Sequence, residues 1–205
     1  AVGVSNGSDA IVVALQALGI GPGDEVITTA FSYLATASAI HRTGATPVFA
    51  DIDLDTFNLS PEAVAARITP RTRAVLAVHL FGRAADTDAL GALCDAHGLA
   101  LVEDAAQGAG AERGGRRTGT LGRVACFSFF PAKPFGAAGD GGACVTNDPG
   151  LAETMRRVRL TGATAKSIAV SCTRDELGRL DPFEKMVRSE ETGLGGVSAQ
   201  ALAGA

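Results

Sequence analysis

The chain has 205 residues, 46% of them hydrophobic and 20% charged, the make-up of an ordinary globular chain with enough apolar material for a sizeable core. Its net charge of −4 supplies no electrostatic footprint for nucleic acid or an acidic membrane surface. No apolar run reaches the ~18 residues a membrane span needs, and no charged-then-apolar start reads as a signal peptide, so neither a membrane nor a nucleic-acid partner is expected.

In chain order, SDAIVVALQALGI is apolar nearly throughout and stops at glycine, the pattern of a largely buried helix. DEVITTA follows as a strand, SYLATASAIHRTG as a helix closed by Gly44, and ATPVFADI as a strand. SPEAVAARI has Ser60 as N-cap and Pro61 at the first helical position. TRAVLAVHL is a strand, and DTDALGALCDAHG is a helix ended by Gly98. LALVED, VACFSFF and GGACVTND are strand-like, and DPGLAETMRRVRLTG opens a helix on Asp148 and Pro149. This alternation, with strands apolar on both sides, predicts an α/β fold whose mostly parallel central sheet is covered by helices on both faces. Residues 1–162 form the expected domain. Residues 163–205 are more polar and are expected to be a divergent tail of weakly organised helix and loop.

The cysteines (Cys94, Cys126, Cys144 and Cys172) show no C-x-x-C spacing and are expected to be buried small hydrophobes in a reducing cytoplasm. No two of them or of the three histidines lie at ligand spacing, so no metal is expected.

Four local patterns carry chemistry. In FSFFPAKPFGAAGDGGA, Lys133 stands between Pro131 and Pro134, after an apolar strand and before a glycine cluster. A lone lysine is ordinarily a solvated surface charge, but these prolines stiffen the loop. Confinement near a buried strand favours the free amine, which can attack a carbonyl and form an imine. In LALVEDAAQ, Asp104 ends an apolar strand; it is either a turn residue or a carboxylate aimed into a crevice, where it could hold a proton on a heteroaromatic nitrogen, with Gln107 in reach of a neighbouring ring oxygen. In SNGSDA, Asn6, Gly7 and Ser8 open a helix. The plain reading is N-capping; the functional one is a phosphate held by unpaired N–H groups, with Ser128 adding a hydroxyl. Tyr33, the single tyrosine, is either a core aromatic or a platform for a ring. An imine-forming lysine, an acid for a ring nitrogen, a phosphate cradle and a stacking aromatic together fit pyridoxal 5'-phosphate.

The stretches VSNGSDAIVVALQALGIGPGDEVIT, ATPVFADIDLDTFNLSPE, AVHLFGRAADTDAL, VEDAAQGAGA and FSFFPAKPFGAAGDGGACVTND together resemble the DegT/DnrJ/EryC1/StrS sugar aminotransferases, pyridoxal-phosphate enzymes of fold type I. The resemblance implies the large domain of that fold, with three α/β/α layers. It implies Lys133 as the Schiff-base lysine, Asp104 against the pyridinium nitrogen, Gln107 near the ring hydroxyl, Gly7, Ser8 and Ser128 on the phosphate, and Tyr33 on the ring face. It further implies an amino donor, glutamate in most of the family, a nucleotide-linked keto sugar as acceptor, and a homodimer. Lysine at 133 separates the chain from similar members that dehydrate sugars and carry histidine there. Against this pattern the chain begins almost at the phosphate loop and lacks the usual C-terminal small domain, so a truncated member is expected. The alternative is a catalytically incomplete remnant that only binds the cofactor or a partner. A dinucleotide-binding oxidoreductase is disfavoured because the first βα turn lacks G-x-G-x-x-G.

Overall fold

The computed structural model of the chain describes residues 1–160; the tail expected over 163–205 lies outside the described residues. In order, the elements are β1 (Val2–Val4), α1 (Gly7–Ala17), β2 (Glu25–Thr29), α2 (Leu34–Arg42), β3 (Thr46–Ala50), α3 (Pro61–Ala65), β4 (Thr72–Val78), α4 (Thr87–His97), β5 (Ala100–Asp104), β6 (Glu112–Arg113), β7 (Arg116–Arg117), β8 (Val124–Ser128), β9 (Gly142–Val145) and α5 (Pro149–Arg159). Residues Ala1–Met155 gather into one compact unit; of the other, Arg156–Ala205, the described residues are the end of α5 and Leu160.

Local chemistry sets the helix ends. Asn6 Oδ1 accepts the Asp9 N–H at 2.8 Å, Ser60 Oγ that of Ala63 at 3.2 Å, Asp86 Oδ1 that of Ala89 at 3.1 Å and Asp148 Oδ1 that of Leu151 at 3.0 Å, each satisfying one donor that the first helical turn leaves unpaired. Gly44 and Gly98 follow α2 and α4 with φ of 86° and 65°, where a side chain would meet its own carbonyl.

Seven strands join in the order β1-β9-β8-β5-β4-β2-β3. From β3 to β8 the pairs are parallel, while β9 is antiparallel to both β8 and β1. The antiparallel edge follows from the connection: no helix lies between Ser128 and Gly142, and a parallel return needs a crossover. The short β6–β7 hairpin stands apart.

Every residue of β2 is buried, as a strand between two helical layers must be. Ile27, Val75, Ala77 and Leu101 pack with Val64 of α3 and Leu90 and Cys94 of α4. The alternate residues of the strands meet the opposite layer of α1 and α2, where Cys144 Sγ donates to Ala10 O at 3.2 Å. The result is the expected three-layer α/β/α arrangement around a mostly parallel sheet. Val75 and Leu76, fully buried on opposite sides of β4, contribute about 2 kcal/mol each. Cys94, Cys126 and Cys144 are free and buried, and burial raises the Cys94 thiol to about 11.

Alternation also divides the two acids of β5. Glu103 and His79 are both 0% exposed, with His79 Nε2 2.9 Å from Glu103 Oε2. His79 Nδ1 accepts the Ala85 N–H at 3.1 Å, so the proton sits on Nε2 and is donated to Glu103. The Glu103 carboxylate also accepts the N–H groups of Gly119, Leu121 and Gly122 at 2.7–2.9 Å, fastening the loop after β7 to the sheet. Asp104 takes the other face, toward α2.

Candidate active site

Chain direction places a crevice at the carboxyl ends of the strands. From β2 the chain passes through α2 to β3 on one side, then returns through α3 to β4 on the other. The two crossovers run along opposite faces, and the split where strand order reverses is where open α/β sheets receive ligands. A cavity of about 590 Å³ opens there. All seven residues singled out from the sequence line it: Gly7, Ser8, Tyr33, Asp104, Gln107, Ser128 and Lys133.

Register brings the acid to the floor, because Val78 and Asp104 end adjacent parallel strands side by side, with Cys126 of β8 opposite Asp104. Asp104 is 5% exposed. Burial raises its carboxyl above the usual aspartate range, against hydrogen bonds from Thr36 Oγ1 at 2.8 Å and the Ala106 N–H at 3.2 Å and the nearby His79 and Lys133. A buried carboxylate of this kind gains from a cationic N–H partner. Two residues past Ala105, Gln107 Oε1 accepts the backbone N–H of Phe81 at 2.9 Å. That bond fixes the amide orientation and leaves the NH2 as the end it can offer a ligand. Phe81 itself has a φ of 54°.

The α1 start and the β8 end meet so closely that only glycine fits at position 7. A Cβ there would lie 2.6 Å from Ser128 Cβ and 3.0 Å from its Oγ. With the Asp9 N–H capped by Asn6 and the Ala10 N–H bonded to Asn6 O, the first-turn N–H groups of Gly7 and Ser8 remain for an anion beside the Ser128 hydroxyl. Asp9 also accepts from Asn6 Nδ2 at 3.2 Å and from Arg42 at 2.9 Å, which brings a cation to the same rim.

Tyr33 is 71% exposed, so the choice left open between core aromatic and ring platform falls to an exposed ring at the cavity. Lys133 Nζ sits 5.9 Å from the centre of that ring. The loop carrying Lys133 is knit by its own backbone: Phe129 N–H donates to Gly141 O at 2.7 Å, Lys133 N–H to Phe130 O at 2.8 Å and Ala137 N–H to Phe129 O at 2.8 Å. A Cβ at Gly136 would come within 2.3 Å of Pro131 O, so the loop closes this tightly only with glycine there. Lys133 is half-buried.

Sequence reasoning did not find Thr36, Ser32, Arg42 or Asp140, which also line the cavity. Threonine in the first turn of an amphipathic helix carries no signal of its own. The one pointer available was its place three residues after the exposed tyrosine, on the turn that meets the strand ends.

Compared with known proteins, residues 1–178 match the model of the DegT/DnrJ/EryC1/StrS aminotransferase family. The chain is 54% identical over 165 residues to a pleiotropic regulatory protein of Geobacillus stearothermophilus, covering 80% of this chain and 44% of that protein. It is also 54% identical over 166 residues to the dTDP-3-amino-3,4,6-trideoxy-alpha-D-glucose transaminase of Streptomyces venezuelae, covering 81% and 44%. Among solved structures it resembles NtdA of Bacillus subtilis with bound cofactor PMP, with a TM-score of 0.78 and 34% identity, over 84% of this chain and 39% of that one. The chain thus spans less than half the length of these relatives.

Proposed function

This chain belongs to the DegT/DnrJ/EryC1/StrS aminotransferase family, and on that footing we propose that it is the large-domain part of a pyridoxal-phosphate-dependent aminotransferase that moves an amino group, from glutamate, onto a nucleotide-linked keto sugar. The observation that carries the reading is the convergence of seven separately inferred residues on one cavity. The residues also fit the cofactor: the buried Asp104 carboxylate would gain from a protonated ring nitrogen, and the Gly7 and Ser8 N–H groups beside the Ser128 hydroxyl would suit a phosphate.

When bound, pyridoxal phosphate supplies an aldehyde that amines can condense with and a ring that withdraws electrons from the carbon next to nitrogen. Gly7 and Ser8 N–H groups and the Ser128 hydroxyl hold its phosphate. Asp104 keeps a proton on the ring nitrogen. Gln107 would offer its NH2 to a ring oxygen, and Tyr33 would offer its ring as a stacking surface. Lys133 would be the residue that holds the aldehyde, and its free amine would serve as the base and acid that moves a proton at the donor Cα. The reading includes a homodimer in the cytoplasm, a setting that three buried free thiols suit.

Mixing the protein with pyridoxal phosphate should give the visible absorbance of an imine, and borohydride should fix the cofactor on the peptide carrying Lys133. Glutamate should then bleach that band. No adduct at saturating cofactor overturns the reading. An adduct that glutamate leaves unchanged favours the second reading, a cofactor-binding domain without turnover, which similarity to a protein named as a regulator supports.

A further inference from the structure

The buried acid at the cavity floor does not stand alone. Thr36 is 1% exposed, and its Oγ1 lies 2.8 Å from Asp104 Oδ2. One turn earlier, Ser32 Oγ lies 2.8 Å from the same Thr36 Oγ1. A hydroxyl has one proton and an ionised carboxylate only accepts. Thr36 therefore donates to Asp104, which leaves Ser32 as the donor to Thr36. The Ala106 N–H covers the other carboxylate oxygen. Two hydroxyls thus donate in turn along one path to Oδ2, with the Ala106 N–H on Oδ1, and hydrogen bonds in such a chain polarise one another in the same sense.

From this geometry we propose that Thr36, backed by Ser32, is a positioning residue that orients the Asp104 carboxylate and keeps it ready to accept an N–H from a ring in the cavity. The identity of that ring rests on the reading above; the hydroxyl chain is a property of the protein itself. Threonine suits the task better than serine. Its branched Cβ restricts χ1, and it sits buried on α2, as do Ala39 and Ile40 one turn on. Tyr33 sits between the two hydroxyls in sequence, so one turn, residues 32–36, delivers both the aromatic ring and the acid's support. A shift of α2 would move the two together.

The groups facing Asp104 are few. Lys133 and His79 bear on it directly, the Cys126 thiol lies beside it on β8, and Glu103 belongs to the opposite face with its own four donors. The test is a 13C NMR titration of the Asp104 carboxyl in the cofactor-free protein. With Thr36→Val, which keeps shape and loses the hydroxyl, the carboxyl midpoint should move up; with Thr36→Ser it should stay near that of the unmodified protein. Ser32→Ala, at a half-buried site, should move it up by less. In the loaded enzyme, Thr36→Val should lower kcat about tenfold with little change in KM for the amino donor, and Thr36→Ser should restore most of it. An unmoved midpoint in Thr36→Val overturns the proposal, and if that variant does not fold, an unmoved midpoint in Ser32→Ala does so. Should the unmodified protein take up no pyridoxal phosphate, the cofactor reading fails while the carboxyl titration still decides this one.

Discussion

At the scale of single residues, the site separates groups by environment. Asp104 and Lys133 could neutralise each other in water. Here the acid is sealed on the floor under α2, and the amine stands on a stiff exposed loop facing Tyr33. Lys133→Ala removes a half-buried side chain whose described contact is the exposed ring of Tyr33, while its backbone N–H keeps its bond to Phe130 O. We therefore expect an unfolding free energy within about 0.5 kcal/mol of the parent, measured by urea denaturation, with glutamate half-reaction activity lost. Turnover near that of the parent would remove Lys133 from its role. The residues that reading the sequence found are those whose surroundings are written locally: prolines flanking an amine, an acid ending an apolar run, glycine and serine opening a helix. Thr36 was not legible, because its meaning lies in Asp104, 68 positions away, and the sheet register brings the two together.

At the scale of elements, the seam between α1 and β8 bears the tightest constraint. Gly7→Ala would push a methyl into Ser128 Cβ, 2.6 Å from the ideal position, and the first turn of α1 or the end of β8 would have to give way. The expected cost is about 1–3 kcal/mol in urea denaturation of the cofactor-free protein, with phosphate-bearing ligands bound at least tenfold more weakly. Adding Ser128→Gly to that variant should recover most of the stability but not the binding. If Gly7→Ala alone is as stable as the parent, the seam is looser than described. The alternating helices and parallel strands were readable because apolar runs, Ser60–Pro61 and the closing glycines are strong local signals. The antiparallel β9–β1 edge and the β6–β7 hairpin were not. β1 has three residues, too few for a period, and pairing direction depends on what connects two strands rather than on their composition.

At the scale of the whole molecule, the buried Glu103–His79 pair ties β5, the turn after β4 and the loop at 119–122 into one body. Burial alone would raise the Glu103 carboxyl; the hydrogen bonds from His79, Gly119 and Gly122 outweigh it and leave the carboxyl below the ordinary 4.5. A carboxyl held lower in the folded state stabilises the fold above its unfolded value, and that contribution is lost as pH falls below about 4.5 and through the folded value. Glu103→Gln should therefore cost about 3 kcal/mol at neutral pH and flatten the acid limb of a stability-against-pH curve measured by urea denaturation. An unchanged acid limb would place the acid sensitivity elsewhere, with Glu25 and its partners Thr69 and Arg71 the next group to examine. Asp104 works in the opposite sense: its raised carboxyl relieves a cost as it protonates, so the acid on the cavity floor is held against stability.

The order of assembly follows from which strands pair. The first strand zips onto the last, Val2 opposite Cys144, and the opening helix lies against β8 and β9. Synthesis must therefore run about 140 residues past Val2 before β1 meets its lasting neighbour. Until then the edge of the sheet beside the Gly7–Ser128 seam stays open.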